Sequence, residues 1–210
     1  MQTRNPESKR LQGIRSKETI LAKKDDLLMK EVICGNDAAL AELIELYEGK
    51  LFCFAYRFLG CAQDAEEVVR DTFIAIWQRT SEFKGDSSVR SWVYGICRNI
   101  AISKLRRKKV TTACPVPDTV CDPSPSVNPE YQAWRNYRAS LLATCVQQLP
   151  PAAREALILR IYQELAYEEI ARICTCPVGT IRSRLNYAMK RLTRLVMAMD
   201  KENNLGENEP

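Results

Sequence analysis

Residues Cys174 to Leu192 read CTCPVGTIRSRLNYAMKRL, and the cations Arg182, Arg184, Lys190 and Arg191, with Arg194 one turn later, have no acid among them. A solvated helix gains from opposite charges three or four residues apart, so a helix of one sign suits a partner of the other. Arginine pairs bidentately with guanine, and serine or threonine hydroxyls reach phosphates or base edges. Pro177 is favoured in the first turn of a helix and excluded from its interior, so the helix starts there. The segment Glu168 to Ile173, a turn near Cys174 to Cys176 and the longer helix form a helix-turn-helix, whose second helix reads the major groove through its N-terminal residues. Val178, Ile181, Leu185, Met189, Leu192 and Val196 make the buried stripe expected of that helix. Thr180, Ser183, Tyr187, Lys190 and Arg194 lie opposite, flanked by Arg182 and Arg184.

A second basic island lies upstream. From Gly95 to Lys109 there are six cations, Arg98, Lys104, Arg106, Arg107, Lys108 and Lys109, and no acid. The preceding Lys84-Gly85-Asp86-Ser87-Ser88 is turn chemistry with capping residues before a helix. From Trp92 onward, Val93, Ile96 and Ile100 face one way. Tyr94, Arg98 and Arg106 face the other, with Asn99 at the edge. Interleaved aromatics, an amide and arginines suit splayed single-stranded bases, which stack on rings and are read along their edges. The alternative is that the Trp and Tyr belong to the core and the terminal cations complement the helix dipole.

A third pattern runs from Asp64 to Gln78. Asp64 is placed to cap that helix and Glu67 to close a capping box. Ala65, Val68, Val69, Thr72 and Ile76 form its inward stripe. The outward face carries Glu67, Arg70 and Asp71, and also Ile74 and Trp77, three residues apart. An apolar pair left in water marks a docking face, whereas a neighbouring helix covering Trp77 would make it core. Upstream, Gly35 and Asn36 break the chain and Asp37 is placed to cap the helix that follows.

These elements need a helical scaffold. The chain has 210 residues, 46% hydrophobic and 27% charged, and reads as globular. Its formal charge is +5, yet the two basic islands, the first counted from Ile170 to Val196 with Arg172 included, carry twelve cations, so the remainder is net negative. That distribution fits a polyanion bound at two places. Residues 110–130 hold five of the ten prolines and read as an extended linker. The expected organisation is all-α: a basic tail (1–24), a helical domain (25–109), the linker, a helix-turn-helix domain (131–199) and an acidic, frayed tail (200–210). No apolar run approaches the ~18 residues of a membrane span, and the basic N-terminus lacks the apolar core of a secretory signal, which points to the cytosol. The nine cysteines are then expected to be reduced thiols. Without histidine, and with Cys174 and Cys176 the one close pair, no zinc framework is expected. The absence of histidine, of a phosphate-binding glycine loop and of a catalytic constellation points away from an enzyme. No catalytic residue, metal or cofactor is assigned.

The sequence resembles the extracytoplasmic-function (ECF) group of bacterial sigma factors over residues 25–109 and 136–197. Asp64-Ala65-Glu66-Glu67-Val68-Val69 with Phe73 is similar to the family's core-polymerase-binding helix. FKGDSSVRSWVYGICRN is similar to its element for melting and reading the −10 promoter region. YEEIA followed by CPVGTIRSRL is similar to its −35-reading helix-turn-helix. The resemblance implies that Asp64, Glu66, Glu67, Asp71 and Phe73, with Trp77, dock on the largest subunit of core RNA polymerase. It implies that Phe83, Lys84, Gly85, Asp86, Ser87 and Ser88 hold a flipped base, that Asn99 lines that pocket, and that Arg98, Arg106 and Arg107 contact duplex or backbone. Thr180, Arg182, Ser183, Arg184, Tyr187 and Lys190 become the −35 reader. It also implies promoter DNA as a partner, with no stable membrane insertion, and an anti-sigma factor able to hold the protein at a bacterial membrane. The chain departs from the family pattern at Arg70 for a glutamine, Val89 for an aromatic, Glu164 for a glycine helix stop and Ala166 for a serine cap. Two rivals remain: an autonomous helix-turn-helix regulator that binds duplex without polymerase, and a thiol or metal sensor built on Cys174 and Cys176.

Overall fold

A computed structural model describes residues 24–108 and 139–206, the backbone alone at 108 and from 200 onward. The tail over 1–23, the proline-rich linker and the last four residues lie outside the described residues, as do Cys114 and Cys121. Among the described residues there is no strand. The helices are α1 (24–33), α2 (Asp37–Leu59), α3 (Ala62–Gln78), a single 3-10 turn (Thr80–Glu82), α4 (Val89–Lys108), α5 (139–147), α6 (Pro151–Ile161), α7 (Tyr167–Ile173) and α8 (Val178–Gly206).

Local chemistry sets most boundaries. Asn36, not Asp37, caps α2: its Oδ1 accepts from the backbone N–H groups of Ala38 and Ala39 at 3.0 and 3.3 Å. The helix ends at Gly60, whose φ of 73° is left-handed, as a helix stop requires. Helix α3 begins at Ala62, earlier than the capping reading, so Asp64 lies in the first turn, where its charge complements the helix dipole. Ser88 caps α4, its Oγ accepting from the N–H of Ser91 at 3.2 Å. Backbone helix continues through α8 to Gly206, into the segment expected to be a frayed tail.

The N-terminal half packs α2, α3 and α4 around Leu43, Tyr47, Leu51, Phe54, Phe58, Val68, Ile76 and Val93, all at most 1% exposed. Phe54 stacks beside Phe58 at 6.0 Å and meets the edge of Tyr94 at 5.9 Å, arrangements that add to simple area burial. From α1, the largely buried Asp25 accepts a hydrogen bond from the Tyr47 hydroxyl at 2.5 Å. Burial raises the pKa of this carboxyl despite that bond.

The C-terminal half packs α6, α7 and α8 together, and its core is continuous with the first. The junction is polar as well as apolar. The last turn of a helix leaves carbonyls without intrahelical partners. At the end of α2, Gln147 donates to the Arg57 carbonyl and Arg154 to the Phe58 carbonyl, each at 2.7 Å. Arg154 also donates to the Gln147 side chain at 2.7 Å and the Leu149 carbonyl at 3.0 Å, so one buried guanidinium ties α2 to the α5–α6 turn.

Candidate nucleic-acid and protein interfaces

Helix α3 presents the face read from its periodicity. Ala65, Val68, Val69, Thr72 and Ile76 are buried, and Ile74 and Trp77 stand 49% and 51% exposed. Among the described residues no neighbouring helix covers Trp77, which the core alternative would require. Glu66, Glu67 and Asp71 are exposed around this pair, while Phe73 is half-buried against the core. The surface is a small apolar island rimmed by charge, the composition of a protein interface.

One cation crosses from α4 to this face. Lys104 lies 3.3 Å from the Asp64 carboxylate and also bonds Glu67. Partial burial opposes the charge on Lys104, but the two carboxylates outweigh it and raise its pKa. The bridge spans a groove of about 720 Å³ between α3 and α4, whose walls also include Gln63, Asp71, Asn99 and Arg107. Asp64 and Glu67, read as protein-docking acids, and Asn99 and Arg107, read as nucleic-acid contacts, therefore line one groove. Glu67 serves Lys104 rather than closing a capping box.

The loop before α4 is ordered by ring packing. Phe83 meets Trp92 edge-on with centroids 5.3 Å apart. Lys84, Gly85 and Asp86 are exposed beyond it, Ser87 and Ser88 are half-buried, and Gly85 has a left-handed φ of 78°. Val89, where the family has an aromatic, is fully buried. Along α4 the expected nucleic-acid stripe is only partly open. Asn99, Arg106 and Arg107 are exposed. Tyr94 is fully buried, so its ring is closed to bases in this arrangement. Arg98 is ion-paired to Glu155 of α6, with side-chain exposures of 17% and 3%. Burial opposes the Arg98 charge, and the Glu155 carboxylate more than compensates, raising the pKa.

In the C-terminal half, α7 and α8 form the helix-turn-helix. Thr175 takes a left-handed φ of 51° in the turn, and the first turn of α8 closes on the Pro177 carbonyl, which accepts from the N–H groups of Thr180 and Ile181. Ala166 has no side-chain acceptor for the start of α7. Only the reciprocal half of a capping box forms there, with Glu169 accepting from the Ala166 N–H at 3.0 Å. Arg182, Ser183, Tyr187 and Lys190 are exposed on one side of α8, and Thr180 and Arg184 are half-buried. The Ser183 hydroxyl donates to the Thr180 carbonyl at 2.9 Å, and Arg182 lies 6.0 Å from the Tyr167 ring. Met189, expected in the buried stripe, is 49% exposed; Ala188 takes the inward place because the stripe drifts by one residue over the helix.

Of the groups that join the halves, sequence reading missed Arg90, Gln147, Arg154, Glu155 and Gln163, and it assigned Tyr94 and Arg98 to a nucleic-acid face instead. One signal was available. PAAREALILRI is apolar except at Arg154, Glu155 and Arg160, the pattern of a buried helix whose charges need partners. Cys174 and Cys176 flank the turn of the helix-turn-helix. Burial raises the Cys174 pKa, and Glu155 adds to the shift. Among the described residues no cluster of three or more metal-ligating side chains occurs.

The family model for Sigma-70 region 2 matches residues 43–111, and that for Sigma-70, region 4 matches 139–192, together more than half of the chain. The chain is 29% identical to the RNA polymerase sigma-H factor of Pseudomonas aeruginosa, over 85% of this chain and 96% of that protein. It is 25% identical to the ECF RNA polymerase sigma factor SigW of Bacillus subtilis, over 79% and 93%. Among solved structures it is similar to the sigma factor RpoE in complex with the anti-sigma factor NepR from Bartonella quintana. That likeness has a TM-score of 0.61 at 25% identity and covers 75% of this chain and 96% of that one.

Proposed function

The chain belongs to the sigma-70 family, in its ECF group, and from that premise we propose that it confers promoter specificity on core RNA polymerase and aids DNA melting at initiation. The region 25–109 docks on polymerase through Asp64, Glu66, Glu67, Asp71, Phe73 and Trp77. The same region reads the −10 element with Phe83 to Ser88, Asn99, Arg106 and Arg107, joined by Arg98 once it is released from Glu155. The region 131–199 reads the −35 element with Thr180, Arg182, Ser183, Arg184, Tyr187 and Lys190. Sigma factors are not enzymes. This one lowers the cost of melting by trapping unstacked bases, each step of which takes a few kcal/mol.

The observation that carries this reading is the exposed Ile74 and Trp77 pair on α3, in the same chain as a one-sign recognition helix. Binding duplex needs only the second, whereas the first calls for a protein partner. Control by an anti-sigma factor follows the precedent of RpoE bound to NepR. Among the described residues no helix is long and apolar enough to cross a membrane. The proposed location is the bacterial cytoplasm, with any tethering at a membrane supplied by such a partner.

The deciding experiment incubates the full chain with bacterial core polymerase and a pooled promoter library. Stable binding and new sequence-selective transcripts are expected. Tight duplex binding by the protein alone, with no binding to core, would establish an autonomous regulator instead.

A further inference from the structure

The groove between α3 and α4 holds both signs of charge in equal number. Its cations are Arg79, Lys104 and Arg107, and its acids are Asp64, Glu67 and Asp71. All three acids belong to the set read as docking on polymerase, and of the cations only Arg107 is assigned to DNA. The acids come from α3, beside the exposed Ile74 and Trp77, whereas Lys104 and Arg107 come from α4. Lys104 joins the two walls. It lies 3.3 Å from Asp64 and bonds Glu67, and its side chain is 25% exposed. Its ammonium is therefore held by carboxylates and turned away from the open groove.

That bridge is replaceable. A lysine meets a carboxylate as a point charge on a flexible four-carbon stem, whereas an arginine meets it with a planar fork of two donors. A partly exposed lysine pair is also weak in net terms. An acidic face is complementary to a basic one. A basic surface that engages Asp64, Glu67 and Asp71 therefore takes the acids that Lys104 holds. The groove is then left with three cations and no unengaged acid. A cleft lined by one sign of charge concentrates the other, and the one anion that a promoter offers in quantity is the backbone phosphate.

We propose that the α3–α4 groove is a phosphate site for the unpaired promoter strand, and that docking on polymerase creates it by passing Asp64 and Glu67 from Lys104 to the partner. Lys104 then meets a backbone phosphate beside Arg107. The proposal rests on the sigma-factor reading for the identity of both partners. It gives Lys104 a role and makes the two interfaces interdependent, because they share one groove. Coupling between two binding events is reciprocal, so a strand held at Lys104 tightens polymerase docking by the factor that docking tightens the strand.

The test measures two affinities for the full wild-type chain and for Lys104→Gln, once circular dichroism has shown both to be folded. Core polymerase without DNA is the first probe. Lys104→Gln no longer competes for the acids, so it should bind about threefold more tightly, the scale of a partly exposed ion pair. The second probe is the single strand of a −10 element recovered from the promoter library, titrated over a range of salt concentrations. With polymerase bound, the logarithmic salt dependence of the variant should be shallower by about 0.7, the value of one phosphate contact on single-stranded DNA. Without polymerase the two slopes should coincide, and Lys104→Arg should restore the slope of the bound form. Weaker polymerase binding by Lys104→Gln overturns the transfer, since the bridge would then be positioning the acids for docking. A slope lowered equally with and without polymerase overturns it too, since Lys104 would meet phosphate from the start. An unchanged slope with polymerase bound removes the phosphate site. A wild-type chain that does not bind polymerase overturns the sigma-factor reading, which the other three failures leave standing. Should Lys104→Gln fail to fold, Lys104→Met takes its place against the same outcomes.

Discussion

The two halves solve the same problem in opposite ways. The N-terminal half encloses a core of large rings, Tyr47, Phe54, Phe58 and Tyr94, and its proposed surfaces are cut into the outside of that core. The C-terminal half is organised around α6, in which seven of eleven residues are buried. Part of what buries them belongs to the other half, while on α8 Arg182, Arg191 and Arg194 are exposed and Arg184 enters the cleft beside Arg106. One half supplies its own stability and has a reading surface that is partly covered. The other has a reading surface exposed except at Thr180 and Arg184, and it draws on its neighbour for stability. A surface carried on a self-sufficient core can be masked and released; a surface on a dependent one stays available while its support comes and goes.

Substitutions can break or sharpen that contrast. The largest effect is expected from Phe54→Ala, at the ring cluster of the N-terminal half. Truncating a fully buried aromatic costs about 3–5 kcal/mol, and denaturant unfolding should show both halves destabilised together. A cost near 1 kcal/mol would mean that the first half does not anchor the molecule. Trp77→Ala should cost about 2 kcal/mol or more of polymerase affinity, the scale of an interface anchor. Its unfolding free energy should change by no more than about 0.5 kcal/mol, as for surface sites generally. An unchanged co-purification with polymerase would remove α3 from the interface. Arg182→Ala should lose about 1–3 kcal/mol on promoter DNA and relax sequence choice, while polymerase binding stays level; equal weakening on all sequences would make it a phosphate contact. The smallest effect is a gain. Glu164 holds a left-handed φ of 53°, a conformation that penalises side chains and suits glycine. Glu164→Gly should raise stability by about 0.5–1 kcal/mol, read as a higher melting temperature.

Much of this was legible in the residues. The α3 stripe falls on the five positions that periodicity assigned, because a helix with one solvated face writes that face into its pattern. Pro177 and the small residues after it placed the start of α8. Tyr94 and Arg98 were read as a nucleic-acid face and instead lie against the C-terminal half, because periodicity distinguishes polar from apolar faces and not the partner a polar face meets. That partner, Glu155, is 57 residues away in the chain, and Gln163 is 69 residues from Tyr94. No local spacing encodes such pairings. Met189 was misplaced for a simpler reason: over three turns a fixed stripe drifts off the contact line.

The cysteines give the closed arrangement a chemical clock. The reactive species is the thiolate, and burial suppresses it. Cys97 lies inside the N-terminal core, its pKa pushed up to about 12 by burial. Cys174 is also buried, but beside Glu155, at the junction of the halves. Cys34 is exposed. Of these three, a thiol reagent added to the native protein should therefore consume Cys34 first. It would reach Cys174 at the rate at which the halves part, and Cys97 only when the first half unfolds. Three residues of one type thus time three different motions of the same molecule.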